Sequence, residues 1–147
     1  MSFANLNFYK KSILYILSVQ RQDGSIPWEI NRKLDPWDHI EAAMGLSIGG
    51  MKEEAEKAYF WLAAVQESDG SWFAEYKNSI PVTKRKETNF IAYISTGALH
   101  HYLIYKEQNF LKKIFPTKPE IKSSNLIIVK LLLIDFLNSS ENFKISK

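Results

Sequence analysis

One turn occurs twice in this chain, 46 residues apart, and that interval constrains the fold more than any other feature. Gln20-x-x-Asp23-Gly24-Ser25 returns as Gln66-x-x-Asp69-Gly70-Ser71, preceded in register by Val19 and Val65 and by Tyr15-Ile16 and Trp61-Leu62. A tryptophan follows each copy, Trp28 or Trp72. A period of this length accommodates two helices and two loops, the unit of a helical array. Glycine permits the positive φ by which a chain leaves a helix and reverses, while Asp and Ser bond nearby backbone groups. The repeated turn is therefore expected to be a loop staple, with Gln bonding backbone and Trp packing on a neighbour. It specifies architecture before chemistry.

The segments between the turns read as helices. The first spans about Leu6 to Gln20, with Leu6, Tyr9, Ile13, Ile16 and Leu17 along one stripe. The third spans about Lys52 to Gln66, with Ala55, Ala58, Tyr59, Leu62 and Val65 on one face and Glu53, Glu54, Glu56 and Lys57 opposite. Both are amphipathic, with one wet side. The second begins at Asp35-Pro36, an N-cap followed by a first-turn proline, and stops at Gly49-Gly50. The fourth runs from Thr88 to Tyr105. Both of these are apolar on most sides, as buried helices are. Outer, inner, outer, inner is the order of a double-layer helical barrel. The expected fold is all-α: a partial α/α toroid of about two and a half helical hairpins over residues 1–105.

Residues 106–147 differ in composition: they contain no Ala, Gly, Trp, Tyr or Arg and carry eight Lys against four acids. That balance of +4 leaves −1 for the first 105 residues of a chain whose net charge is +3. The basic excess thus sits in a Lys/Ile/Leu/Asn-rich tail, expected to be partly helical, rather than in a structured stripe, so nucleic-acid binding is not expected. The tail is expected to be a diverged, truncated or frame-shifted end. With no cysteine, a disulfide framework, a thiol nucleophile and a Cys-ligated zinc are excluded, and a reducing, cytoplasmic setting is expected. The longest apolar run, Leu126 to Leu137, is interrupted by Lys130 and Asp135 and is too short to span a bilayer, so no integral membrane segment is expected.

Gln20…Gly24…Trp28 and Gln66-Glu67-Ser68-Asp69-Gly70-Ser71-Trp72 resemble the QW repeats of squalene–hopene cyclases and the related repeats of protein prenyltransferase β-subunits. Pro36-Trp37-Asp38-His39-Ile40-Glu41-Ala42-Ala43-Met44, Thr88-Asn89 and Gly97-Ala98-Leu99-His100-His101-Tyr102-Leu103 resemble bacterial prenyltransferase or squalene-cyclase-like proteins. The resemblance covers residues 5–117 and implies an N-terminal fragment of a transferase or terpenoid cyclase that holds a polyprenyl substrate in a toroid cavity. Two departures stand against it: the Asp-x-Asp-Asp acid of the cyclases is absent, and the prenyltransferase zinc site lacks its cysteine. The sequence does not identify a cofactor, and this fragment alone is expected to be inactive.

Candidate chemistry gathers at the start of the second helix. Asp38 and Glu41 are three apart on one face with His39 between them, a set suited to general acid–base work; Asp35 and Asp38 equally suit capping and the helix dipole. Asn89 and Tyr93, four apart near the start of the fourth helix, are the next candidates for a cavity wall, with Trp37 and Trp72 as substrate-binding residues. Trp28 and Phe73 are further candidates for an aromatic pocket, although packing is the ordinary role of such rings. His100 and His101 point about 100° apart and cannot share a ligand, so no metal site is expected. Lys84-Arg85-Lys86 is a solvated loop or an attractor for a diphosphate.

Two other functions are compatible with these residues. One is a fragment of a carbohydrate-active (α/α)6 barrel, in which Asp38 and Glu41 would protonate a glycosidic oxygen or activate water. The other is a non-catalytic helical remnant that self-associates through exposed apolar faces.

Overall fold

The computed structural model of the protein describes residues 9–114. It is mostly helical: α1 Lys10–Val19, α2 Pro36–Ile48, α3 Lys52–Ala64, α4 Thr88–Tyr105 and α5 Gln108–Ile114, with a short hairpin of β1 Tyr76–Lys77 and β2 Ile80–Pro81. The predicted start of the first helix at Leu6, and the tail from residue 115 on, lie outside the described residues. The third helix stops at Ala64, two residues earlier than predicted.

The caps follow from the sequence. The Asp35 carboxylate accepts the Asp38 backbone N–H at 3.0 Å, and Pro36 fills the first helical position. At the other end Gly50 has φ 79° and Met51 N–H bonds the Leu46 carbonyl at 2.9 Å, closing α2 in a Schellman-type turn. α2 is the central helix. It buries Ile40, Ala43 and Leu46 against Ala55, Ala58, Tyr59 and Leu62 of α3 and Ile94 and Ala98 of α4. Small residues let these helices approach closely. A Cβ on Gly97 would come within 2.5 Å of Ile40 Cγ2, and the Tyr59 hydroxyl bonds the Gly97 carbonyl at 2.8 Å. α5 adds Phe110, Leu111 and Ile114 to the same core, against α3 and α4.

The two repeated turns share their internal hydrogen bonds. Gln20 Nε2 donates to Gly24 O at 3.2 Å and Gln66 Nε2 to Gly70 O at 3.1 Å. The backbone N–H of Ser25 and that of Ser71 each bond the Asp two residues earlier at 3.0 Å. Gly24 and Gly70 have φ 93° and 82°. The tryptophans diverge. Trp72 is buried with its indole N–H on the Leu62 carbonyl at 2.8 Å, whereas Trp28 is 41% exposed.

Two expectations need correction. The connection between the third and fourth helices departs from an all-α fold: Asn78 and Ser79, both at positive φ, close a two-residue turn between β1 and β2, as a type I′ hairpin requires. Tyr76 also exchanges two backbone hydrogen bonds of 2.9 Å with Leu34, which ties this arm to the segment that enters α2. Strands of two residues leave no periodic signal to read. Secondly, α2 and α4 are not covered on all sides. Asp38, Glu41 and Ile48 on α2, and Asn89, Ala92, Thr96 and Leu103 on α4, are exposed. Each central helix thus keeps one open stripe.

Candidate functional site

The open stripes of α2 and α4 meet at Trp37 and Tyr93. Their rings stack with centroids 4.0 Å apart and planes 6° from parallel. Both polar ends turn to one atom: Trp37 Nε1–H and the Tyr93 hydroxyl donate to Glu41 Oε1 at 2.9 and 2.8 Å. Trp37 and Glu41 are four apart on α2 and so share a face, while Tyr93 comes from α4, 52 residues from Glu41. The phenol is held above its ordinary pKa, first by burial and then by Glu41. The result is a carboxylate aimed by two aromatic donors.

Asp38 lies one turn back along α2, and Asp35 at the cap before it. The Asp38 carboxyl is raised above the usual carboxylate range by partial burial, then by the charge of Asp35 and that of Glu41. Asp35 is fully engaged: Oδ1 accepts the Asp38 N–H at 3.0 Å and Oδ2 the Trp28 indole N–H at 2.9 Å. Three acids therefore line the start of one helix, and the middle one holds its proton more readily than an ordinary aspartate does. Asn89 is exposed in the first turn of α4, four residues before Tyr93.

His39 does not join them. It is fully buried, accepts the Ile26 N–H on Nδ1 at 3.1 Å and faces the Ala58 carbonyl through Nε2 at 3.0 Å. The first bond makes Nδ1 the acceptor, so Nε2 carries the proton. Burial pushes its pKa down to about 4. A neutral imidazole locked between two backbone groups holds helices together and has no access to a substrate. Trp72 is likewise committed to the core, and its indole N–H to Leu62.

Ser47, His101 and Glu56 look at first like a nucleophilic triad, with His101 Nδ1 2.8 Å from Ser47 Oγ and Nε2 3.7 Å from Glu56 Oε1. Ser47 donates to the Ala43 carbonyl at 2.9 Å, however, and both Ser47 and His101 are buried. The histidine must then donate through Nδ1, the reverse of what a general base would do. Lys84-Arg85-Lys86 is not a diphosphate cradle. Arg85 pairs with Glu87, and Lys86 with Asp69 at 2.8 Å while lying over the Phe73 ring. Among the described residues no cluster of three or more His, Asp or Glu is placed to hold a metal ion, and no helix is long and apolar enough to cross a membrane.

Paired helices with an open aromatic and acidic face define the structural class. No protein-family profile matches the chain. An enzyme of Mycolicibacterium hassiacum, named an MMP endo-(1,4)-3-O-methyl-α-D-mannosidase, is 37% identical over 101 residues, which are 69% of this chain. The chain spans 28% of that enzyme's length. This likeness corrects the terpenoid-cyclase and prenyltransferase resemblance, with its transferase chemistry and polyprenyl substrate: a similar protein of named activity is a glycosidase. The correction has a physical reason. Gln-x-x-Asp-Gly-Ser staples close helices irrespective of what lies between them, so they are no guide to the substrate.

Proposed function

We propose that this chain is part of a carbohydrate-active α/α barrel, with α2 and α4 in its inner layer and their shared open stripe facing the cavity. The single observation that carries this reading is the half-buried Trp37–Tyr93 stack with both polar ends on exposed Glu41, in a chain similar to a mannosidase. A sugar ring presents C–H faces that suit aromatic surface and hydroxyls that suit carboxylate oxygens, and such sites combine the two. Glu41 Oε1 takes both aromatic donors, which leaves Oε2 as the acceptor for a sugar hydroxyl.

Asp38 is the proposed proton donor to the glycosidic oxygen, because its surroundings favour the protonated form. Glu41 is then a binding group rather than the second catalytic carboxylate. Both side chains leave the same helix face and approach a sugar from one side. Glycoside hydrolysis requires an acid and an opposed nucleophile or base across the anomeric carbon. The opposing group would come from an element beyond α2. The proposed ligand is an α-(1,4)-linked oligosaccharide of 3-O-methylmannose.

Calorimetric titration of the protein with such an oligosaccharide tests the reading, with a cellulose-derived oligosaccharide as control. Glu41→Gln removes the charged acceptor and is expected to weaken binding by about tenfold, the scale of one hydrogen bond to an ionised group. Equal affinity of Glu41→Gln and wild type, or equal affinity for the control sugar, contradicts the assignment.

A further inference from the structure

The chain has four tryptophans. Trp61 and Trp72 are buried, whereas Trp28 and Trp37 are not, and these two stand at opposite ends of the acidic row. Trp37 is bonded to Glu41 at one end; the Trp28 indole N–H bonds Asp35 at the other and also faces Asp38. From the Asp35 cap to Glu41 is six residues of helix, a rise of about 9 Å, longer than a single pyranose ring.

Exposure alone would not distinguish Trp28 from any surface aromatic. What does is the extent to which it is fixed. Its N–H bonds the Lys33 carbonyl at 3.1 Å, and its carbonyl accepts the Tyr15 hydroxyl at 3.2 Å. The Lys33 ammonium lies 4.7 Å from the ring centroid and is itself held by Glu75 at 2.8 Å. The adjoining loop is pinned by Arg21, whose guanidinium bonds the Arg32 carbonyl at 3.1 Å. An indole anchored at its backbone, its N–H and one face, yet 41% exposed, is an ordered surface that the core does not use. Ordering such a ring in advance lowers the entropic cost of stacking a ligand on it.

We infer that Trp28 is a second sugar-binding station, so that the open face takes an oligosaccharide running across Asp38 between Trp28 and the Trp37–Tyr93 stack. The inference rests on the carbohydrate reading of that face. Trp28 governs chain length: a short ligand engages Trp37 and Glu41 alone, and a longer one reaches past Asp38 to Trp28.

The experiment measures affinity for α-(1,4)-linked 3-O-methylmannose di-, tetra- and hexasaccharides in wild type, Trp28→Ala and Trp28→Phe. Wild type is expected to bind the longer chains more tightly. Trp28→Ala should leave disaccharide affinity unchanged and cancel the gain with length, about tenfold for one aromatic contact. Trp28→Phe keeps the ring, loses the bond to Asp35 and should retain most of the gain. That variant keeps the test decisive if Trp28→Ala does not fold. Equal weakening of all lengths, or an unchanged gain in Trp28→Ala, overturns the station while the carbohydrate reading stands. A wild type that binds no length overturns the reading itself, and the station with it.

Discussion

His39 shows at the scale of one residue how an apparent catalytic group becomes a structural one. Its neutral ring joins the Ile26 N–H to the Ala58 carbonyl, so adding a proton would cost the first bond and bury a charge. The pKa of about 4 in the fold lies below the ordinary histidine value of 6.5, so the unfolded chain binds the proton more readily. The stabilisation is therefore complete above pH 6.5, declines as pH falls and levels off below about 4. At most about 3 kcal/mol is involved for this residue. Urea unfolding at stepped pH should show that decline, and imidazole NMR should show the Nε2–H tautomer persisting to near pH 4; constant stability across the window would contradict this role. A histidine between two acids reads as catalytic in sequence. Only the helix register, which turns position 39 inward while 38 and 41 face out, separates it from them.

Among the elements, the repeated turn and the start of α2 make separable predictions. Gly24 and Gly50 both have positive φ, 93° and 79°, but a Cβ on Gly24 would lie 2.2 Å from the Lys57 carbonyl oxygen, whereas Gly50 has nothing within 4 Å. Gly50→Ala should therefore cost about 1 kcal/mol, the strain of the conformation alone. Gly24→Ala should cost several times more, because the turn must leave α3. Comparable losses in denaturant titrations would disprove the close approach. At the cap, Asp35→Ala should cost about 1 kcal/mol and Asp35→Asn only a few tenths, read as shifts in unfolding midpoint. A larger loss in Asp35→Asn would mean that charge outweighs the N-cap bond there. These turns and caps were legible in the sequence because they are local: Gln, Asp, Gly and Ser act within five residues of one another. The stack of Trp37 on Tyr93 was not, since it joins residues on different helices brought together by the packing of α2 on α4, where Gly97 sits against Ile40. Both residues were candidates from the sequence; their shared bond to Glu41 was not foreseen.

For the molecule as a whole, the alternation of half-wet and mostly apolar helices predicted an all-helical array, and the described residues form one apart from the hairpin. The open stripes of α2 and α4 were hidden from that reasoning, because a few polar positions such as Asp38, Glu41, Asn89 and Thr96 on otherwise apolar helices do not show which side is left uncovered. Exposed Leu14 and Tyr15 on α1, and Ile48, Leu103 and Ile104 on the central helices, are expected to drive self-association of the isolated chain. Sedimentation velocity over a concentration series should show a rising mass; a constant monomer mass would contradict that expectation.

The four tryptophans supply the most direct test of the proposed carbohydrate-binding face, since each contributes one indole N–H signal to a proton–nitrogen correlation spectrum. Titration with the 3-O-methylmannose oligosaccharide should move the Trp37 and Trp28 signals and leave those of buried Trp61 and Trp72 in place. Signals that all stay fixed at saturating sugar, or that shift only for the buried pair, would contradict the account.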